Sequence, residues 1–219
     1  MATISPSPFP PDWTVADMLA QLGDVPVNRI RLTPLPGKAT EQDVLDAQAR
    51  TDRSCELIDG VLVEKTSGFR ESLLAAAIAS YLRQFVRSRN LGIVLGADGT
   101  LKILPRQVRI PDVCFIRWER FPGGQLPQVQ IPAVAPDLAV EVLSPGNTEG
   151  EMQRKLRDYF AAGVRLVWTI DPATRTAWPY TSPEQGTTYS EAERLSGGEV
   201  LPGFELPLRE LFAELGQAQ

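Results

Sequence analysis

The sequence predicts an α/β chain, a mixed β-sheet core flanked by α-helices, and three features carry that prediction. Cys55 to Lys65 (CELIDGVLVEK) alternates on both sides of Asp59-Gly60, a dipeptide that tolerates the positive φ of a tight hairpin turn. Arg70 to Arg89 places Leu74, Ile78, Tyr81, Leu82 and Phe85 on one stripe, the spacing of a helix with one buried face. Asp137 to Leu143 (DLAVEVL) and Val164 to Ile170 are apolar on both faces, as strands covered by helices on each side are, and a helical segment lies between them.

The remaining elements follow in chain order. Met1 to Pro11 is rich in Ser and Pro and carries neither a basic residue nor an apolar run, so it reads as a loose arm and not as a signal peptide or membrane anchor. Trp13 to Leu22 has helical spacing and stops at Gly23; Arg29 to Thr33 alternates like a short strand; Thr40 and Asp43 form a variant capping box opening a helix through about Ala49. These pieces make residues 1–50 an N-terminal arm and helical extension on a core domain spanning 51–219. Within that domain Gly92 to Leu95, Thr100 to Leu104 and Val108 to Ile116 read as successive strands. A Pro/Gly-rich loop runs from Phe121 to Pro136, and Thr148 with Glu151 caps the helix between the two buried strands. Arg175 to Tyr180 is a further strand, Gly197-Gly198 a turn, and Leu208 to Leu215 a closing helix.

Composition removes whole classes of chemistry. None of the 219 residues is a histidine, which excludes Ser-His-Asp and Cys-His triads, His-ligated zinc and any imidazole base. Cys55 and Cys114 alone cannot build a four-ligand zinc site, and so few cysteines suit a reducing, cytoplasmic setting. No stretch approaches the roughly 20 apolar residues needed to span a bilayer. The net charge is -5, yet ten basic residues stand against four acidic ones between Lys65 and Arg120, which predicts a basic face on an acidic body.

The candidate chemistry therefore rests on carboxylates and lysines. Asp112 shares its strand face with Val108, Ile110, Cys114 and Ile116, and Glu141 is flanked by aliphatic residues. A buried carboxylate is costly unless a cation or hydrogen-bond donors hold it. Two such acids in two buried strands want a shared positive partner, and carboxylate ligands suit Mg²⁺ or Mn²⁺. In the helix after Glu141, Met152, Lys155, Leu156 and Tyr159 form the inward stripe, so Lys155 can reach back toward Glu141, while Arg154, Arg157 and Asp158 face elsewhere. Glu71 points inward from the first turn of its helix; Glu64 and Lys65 read as an exposed strand-end pair.

Pro111-Asp112, then Glu141-Val142-Leu143 twenty-nine residues on, SPGN, a helix with inward Lys155 and Tyr159, and VRLVWTIDP resemble the putative restriction endonuclease family of the PD-(D/E)XK superfamily. The ELIDG hairpin, EKTSGFRES and the closing LPGF, LPL and ELF segments resemble it as well, from Cys55 to Leu215. The resemblance implies a restriction-endonuclease-like fold and a Mg²⁺- or Mn²⁺-dependent nuclease that hydrolyses DNA, with no organic cofactor; the two-fold symmetry of a duplex adds the expectation of a homodimer. It implies Asp112 and Glu141 as metal ligands, the backbone carbonyl of Val142 as a further one, and Glu71 as a carboxylate reaching the metal through water. The motif's usual lysine position is Leu143 here, and Lys155 is the matching lysine displaced into the helix. The alternative is a catalytically inactive DNA-binding or protein-interaction module on the same scaffold.

Overall fold

A computed structural model of the chain describes residues 9–51, 53–184 and 186–216. Most of the expected arm Met1 to Pro11 lies outside the described residues. The first helix, α1 (Val15–Gln21), is closed by a reciprocal capping box between Thr14 and Asp17, and α2 (Glu41–Thr51) begins where Asp43 accepts from Thr40. Between them Arg29 to Thr33 does not form the expected strand. A 3-10 turn covers Val27–Arg29, and Ile30 makes a single bridge to Val63. Pro34 and Pro36 offer no N–H to a ladder. The Arg29 side chain turns inward instead, to Glu151 and to the carbonyls of Glu64 and Gly146.

The hairpin forms as predicted: β1 (Cys55–Ile58) pairs antiparallel with β2 (Val61–Glu64), with Asp59 and Gly60 both at positive φ. The long helix α3 (Phe69–Ser88) follows, then β3 (Gly92–Leu95) and β4 (Leu101–Leu104). The expected strand Val108 to Ile116 is two strands in two sheets: β5 (Gln107–Arg109) pairs with β1 and β4, and β6 (Val113–Arg117) pairs with β3. Alternation runs through the whole segment, but Pro111 has no N–H to donate, and the chain changes sheets there.

The central sheet has the order β3-β6-β7-β8-β9, with β7 (Leu138–Val142), β8 (Leu166–Asp171) and β9 (Thr176–Tyr180). Among the described residues β7 and β8 alone run parallel, joined by α4 (Glu149–Ala161). The hairpin, β5 and β4 form a second sheet in the order β2-β1-β5-β4, and β10 (Arg194–Ser196) with β11 (Glu205–Pro207) leads into α5 (Leu208–Ala213).

Strand alternation divides the central sheet into two faces. Val113, Phe115, Leu138, Val140 and Val142 pack with Leu74, Ile78 and Leu82 of α3 and with Leu211 and Phe212 of α5. Cys114, Ile116 and Ala139 point the other way, to Leu156 and Tyr159 of α4 and Leu101 of β4. Each large side chain so buried contributes about 1.5–3 kcal/mol. Separate clusters seat α2 on β1 and tuck Leu22 and Val25 against the hairpin. Among the described residues no helix is long and apolar enough to cross a membrane.

Candidate active site

Asp112 immediately precedes β6, and Val113 pairs with Val140. Continuing that register sets Asp112 opposite Glu141. The Asp112 N–H donates to the Val140 carbonyl at 3.0 Å, and its Oδ2 accepts from the Val142 N–H at 2.7 Å. By the alternation above, both acids lie on the α4 face. The two carboxylates expected to share a site thus lie on neighbouring strands of one sheet face.

Glu141 is engaged at both oxygens. Lys155 Nζ donates to Oε2 at 2.7 Å and the Tyr159 hydroxyl to Oε1 at 2.5 Å. Burial first, then the negative Asp112 and Glu56, push the Glu141 carboxyl up from its ordinary value, against the pull of Lys155. Burial opposes the Lys155 charge, but Glu141 and Glu56 outweigh it and raise the ammonium pKa. Lys155 thus reaches Glu141 as expected, but as a cation sealed beneath the helix.

The other oxygen of Asp112 is taken by a residue assigned to the surface from sequence. Lys65 Nζ lies 2.8 Å from Asp112 Oδ1, and the Lys65 side chain is only 8% exposed. Glu64 is buried as well, between Arg31 and Arg53. The Glu64–Lys65 step is therefore not an exposed pair: β2 is buried along its length, and the lysine turns in at its end.

Further charges converge beneath α4. Glu56 in β1 accepts from Arg109 Nη1 at 2.8 Å and from the Ile110 N–H at 3.0 Å, and Lys155 stands 3.6 Å from its Oε1. Arg109 also bonds Asp158, which accepts from Arg154 Nε at 2.9 Å, and Arg154 continues to Asp59 in the hairpin turn at 2.8 Å. Arg154 and Asp158, expected to face away, are buried. The helix carries two adjacent inward stripes, one apolar and one formed by Glu151, Arg154, Lys155 and Asp158. That i, i+3, i+4, i+7 spacing of charge was the available signal.

Glu71 is buried at the start of α3 and forms no hydrogen bond or ion pair with Asp112, Glu141 or Lys155. It lines a cavity of about 640 Å³ together with Leu143, Ser144, Thr169 and Trp178. Part of the predicted basic face is engaged in pairs with the rest of the fold. Lys102 pairs with Glu41, Arg120 with Asp137, and Arg117 bonds backbone carbonyls, while Arg83 and Arg87 of α3 and Arg89 at its end remain at the surface.

The groups expected from the sequence to hold a divalent cation are Asp112, Glu141 and the Val142 carbonyl, and both carboxylates are here held by protein donors. Among the described residues no cluster of three or more acidic, histidine or cysteine side chains is set for a metal. Two hard carboxylates still fit Mg²⁺, which commonly takes one or two carboxylates and keeps several waters.

No curated protein matches the sequence. The fold is similar to that of a putative nuclease belonging to DUF820 from Anabaena variabilis, with a TM-score of 0.67 and 19% identity over 75% of this chain and 93% of that one. The model of the Uma2 family, described as "Putative restriction endonuclease", matches residues 41–209, from α2 into α5, and the chain belongs to that family.

Proposed function

We propose that the protein is a divalent-metal-dependent endonuclease that hydrolyses phosphodiester bonds in DNA, with Asp112, Glu141 and the Val142 carbonyl holding Mg²⁺ or Mn²⁺. The observation that carries this reading is the placement of Asp112 opposite Glu141, with both carboxylates on the face covered by α4. An ion held there would supply Lewis-acid polarisation of the phosphate and an acidified water.

The chain's own groups supply orientation. The Val142 N–H pins one Asp112 oxygen, and Lys155 with Tyr159 fixes the Glu141 carboxylate. Lys155 is a positioning residue in this scheme, because an ammonium locked between Glu141 and Glu56 cannot accept a proton. Glu71 stands outside the pair, so any contact it makes with the ion runs through water. Arg83, Arg87 and Arg89 offer cations to the DNA backbone, and two copies suit the two-fold symmetry of a duplex.

A second reading has its own support. Glu141 is 4% exposed with both oxygens satisfied, the arrangement of a buried structural ion pair, which favours an inactive scaffold that binds DNA or protein. Plasmid nicking in Mg²⁺ or Mn²⁺ decides between them. The nuclease reading expects nicking that drops at least about 100-fold in Asp112→Ala and Glu141→Ala. Absent nicking, or nicking undiminished in both variants, leaves the scaffold.

A further inference from the structure

We propose that the polar cavity beside Lys65 receives a phosphodiester of the substrate, and that the Lys65 ammonium is the group that meets it; this rests on the nuclease reading above. The cavity, about 470 Å³, is walled by Arg53, Glu64, Lys65, Thr66, Ser67 and Asp98.

Lys65 is placed there by the fold. It follows the last residue of β2, and its N–H donates to the Ser54 carbonyl at 2.9 Å, which fixes the backbone. Its ammonium donates to the Ala97 carbonyl at 3.1 Å and pairs with Asp112 Oδ1 at 2.8 Å. An ammonium has three N–H donors, so one remains beyond these two contacts, on a residue that lines the cavity. The side chains of Lys65 and Asp112 are 8% and 10% exposed, a built contact and not a surface pairing.

Of the neighbouring cations, Arg53 of the cavity wall pairs with Glu64 at 2.8 Å through a largely exposed side chain and does not touch Asp112 or Glu141. Lys155 is sealed under α4, and the Arg29 guanidinium is used by both Glu151 oxygens. Lys65 is therefore the cation, among the described residues, that touches the acid pair and also borders an open polar space. An entering phosphodiester meets the spare N–H and competes with Asp112 for the charge. The Thr66 hydroxyl, which accepts from Ser144 at 2.7 Å, retains its own hydrogen to donate to the same anion.

The test reads binding without cleavage: fluorescence anisotropy of a short labelled DNA duplex in EDTA, titrated with salt. Lys65→Met is expected to weaken binding about 3- to 10-fold and to flatten the log–log salt slope by about one phosphate contact. Lys65→Arg is expected to retain binding, and Arg209→Met, at a remote exposed cation, to leave the slope unchanged. Asp112→Asn frees the ammonium and is expected to tighten binding, a gain that disappears in Lys65→Met/Asp112→Asn. A salt bridge serving only the fold would not give these opposite signs.

An unchanged slope in Lys65→Met, a tightening in Asp112→Asn that survives loss of Lys65, or no DNA binding by the wild type overturns the proposal. If the binding pattern appears but no metal yields nicking, the docking site stands and the nuclease reading falls. If nicking is robust while the slope ignores Lys65, the reverse holds.

Discussion

Glu56 Oε2 accepts a hydrogen bond from Arg109 Nη1 at 2.8 Å, with both side chains at most 2% exposed. Arg109 ties that sheet to the helix above it, since its other nitrogen bonds Asp158 on α4. The two carboxylates raise its pKa further, overcoming burial. Removing Arg109 leaves two acids buried without their shared cation, and breaking a buried pair costs about 3–5 kcal/mol. Arg109→Met is therefore expected to lose most of the stability of the fold, and Arg109→Lys to recover little, because one ammonium cannot reproduce a fork reaching both partners. Urea denaturation followed by circular dichroism checks both variants.

Lys155 offers a sharper comparison, because its partners can be neutralised. Lys155→Met strips Glu141 of its nearest cation and Glu56 of a second one. The single variant is expected to be destabilised by about 3–5 kcal/mol. Lys155→Met/Glu141→Gln, which leaves Tyr159 a neutral acceptor, is expected to be less damaged than the single change. A double variant as unstable as the sum of both singles would show that the pair is not coupled as drawn.

Acid sensitivity follows from Glu56. Burial alone would push its carboxyl up, but the charges of Lys155 and Arg109 overrun that effect and hold it at about 2, against an ordinary 4.5. Between those values the folded chain binds fewer protons than the unfolded one, so stability rises with pH. The contribution, on the order of 3 kcal/mol, is present above pH 4.5 and lost as pH falls toward 2. Glu141 acts in the opposite sense: with its folded value raised, part of its contribution is lost as pH climbs above 4.5. Urea midpoints measured across pH 2 to 5 are expected to fall steeply in acid for the wild type, and less steeply in Glu56→Gln.

Local chemistry explains which of these features could be read in the sequence. Asp59-Gly60 announces its turn, the stripe through Leu74, Ile78 and Leu82 announces α3, and the two doubly apolar runs announce β7 and β8. Asp112 and Glu141 stand out because acids in apolar rows demand a partner. The division at Pro111 was hidden, since Val108, Ile110, Cys114 and Ile116 keep one alternation across a change of sheet. Lys65 was hidden for a different reason, and the spacing of the α4 charges, though visible, is one that a solvated helix face shares. Exposed and buried charges have the same composition, and only tertiary pairing with Asp112, Glu56 and Arg109 tells them apart.

The hydroxyl of Thr169 gives a test on the same row of the sheet. Thr169 lies beside Glu141 in β7 and opposite Trp178 in β9, and its buried Oγ1 has no hydrogen-bond partner in the protein. A buried hydroxyl in that state carries a desolvation cost of about 1–3 kcal/mol, whereas a methyl of the same shape does not. Valine also suits a central strand. Thr169→Val is therefore expected to stabilise the fold by about 1 kcal/mol, which for a chain of this size raises Tm by about 2–4 °C. Differential scanning calorimetry reads the change directly. A loss of similar size would mean that the hydroxyl has a partner after all, and would place a bound water or ligand group against the strand that carries Glu141.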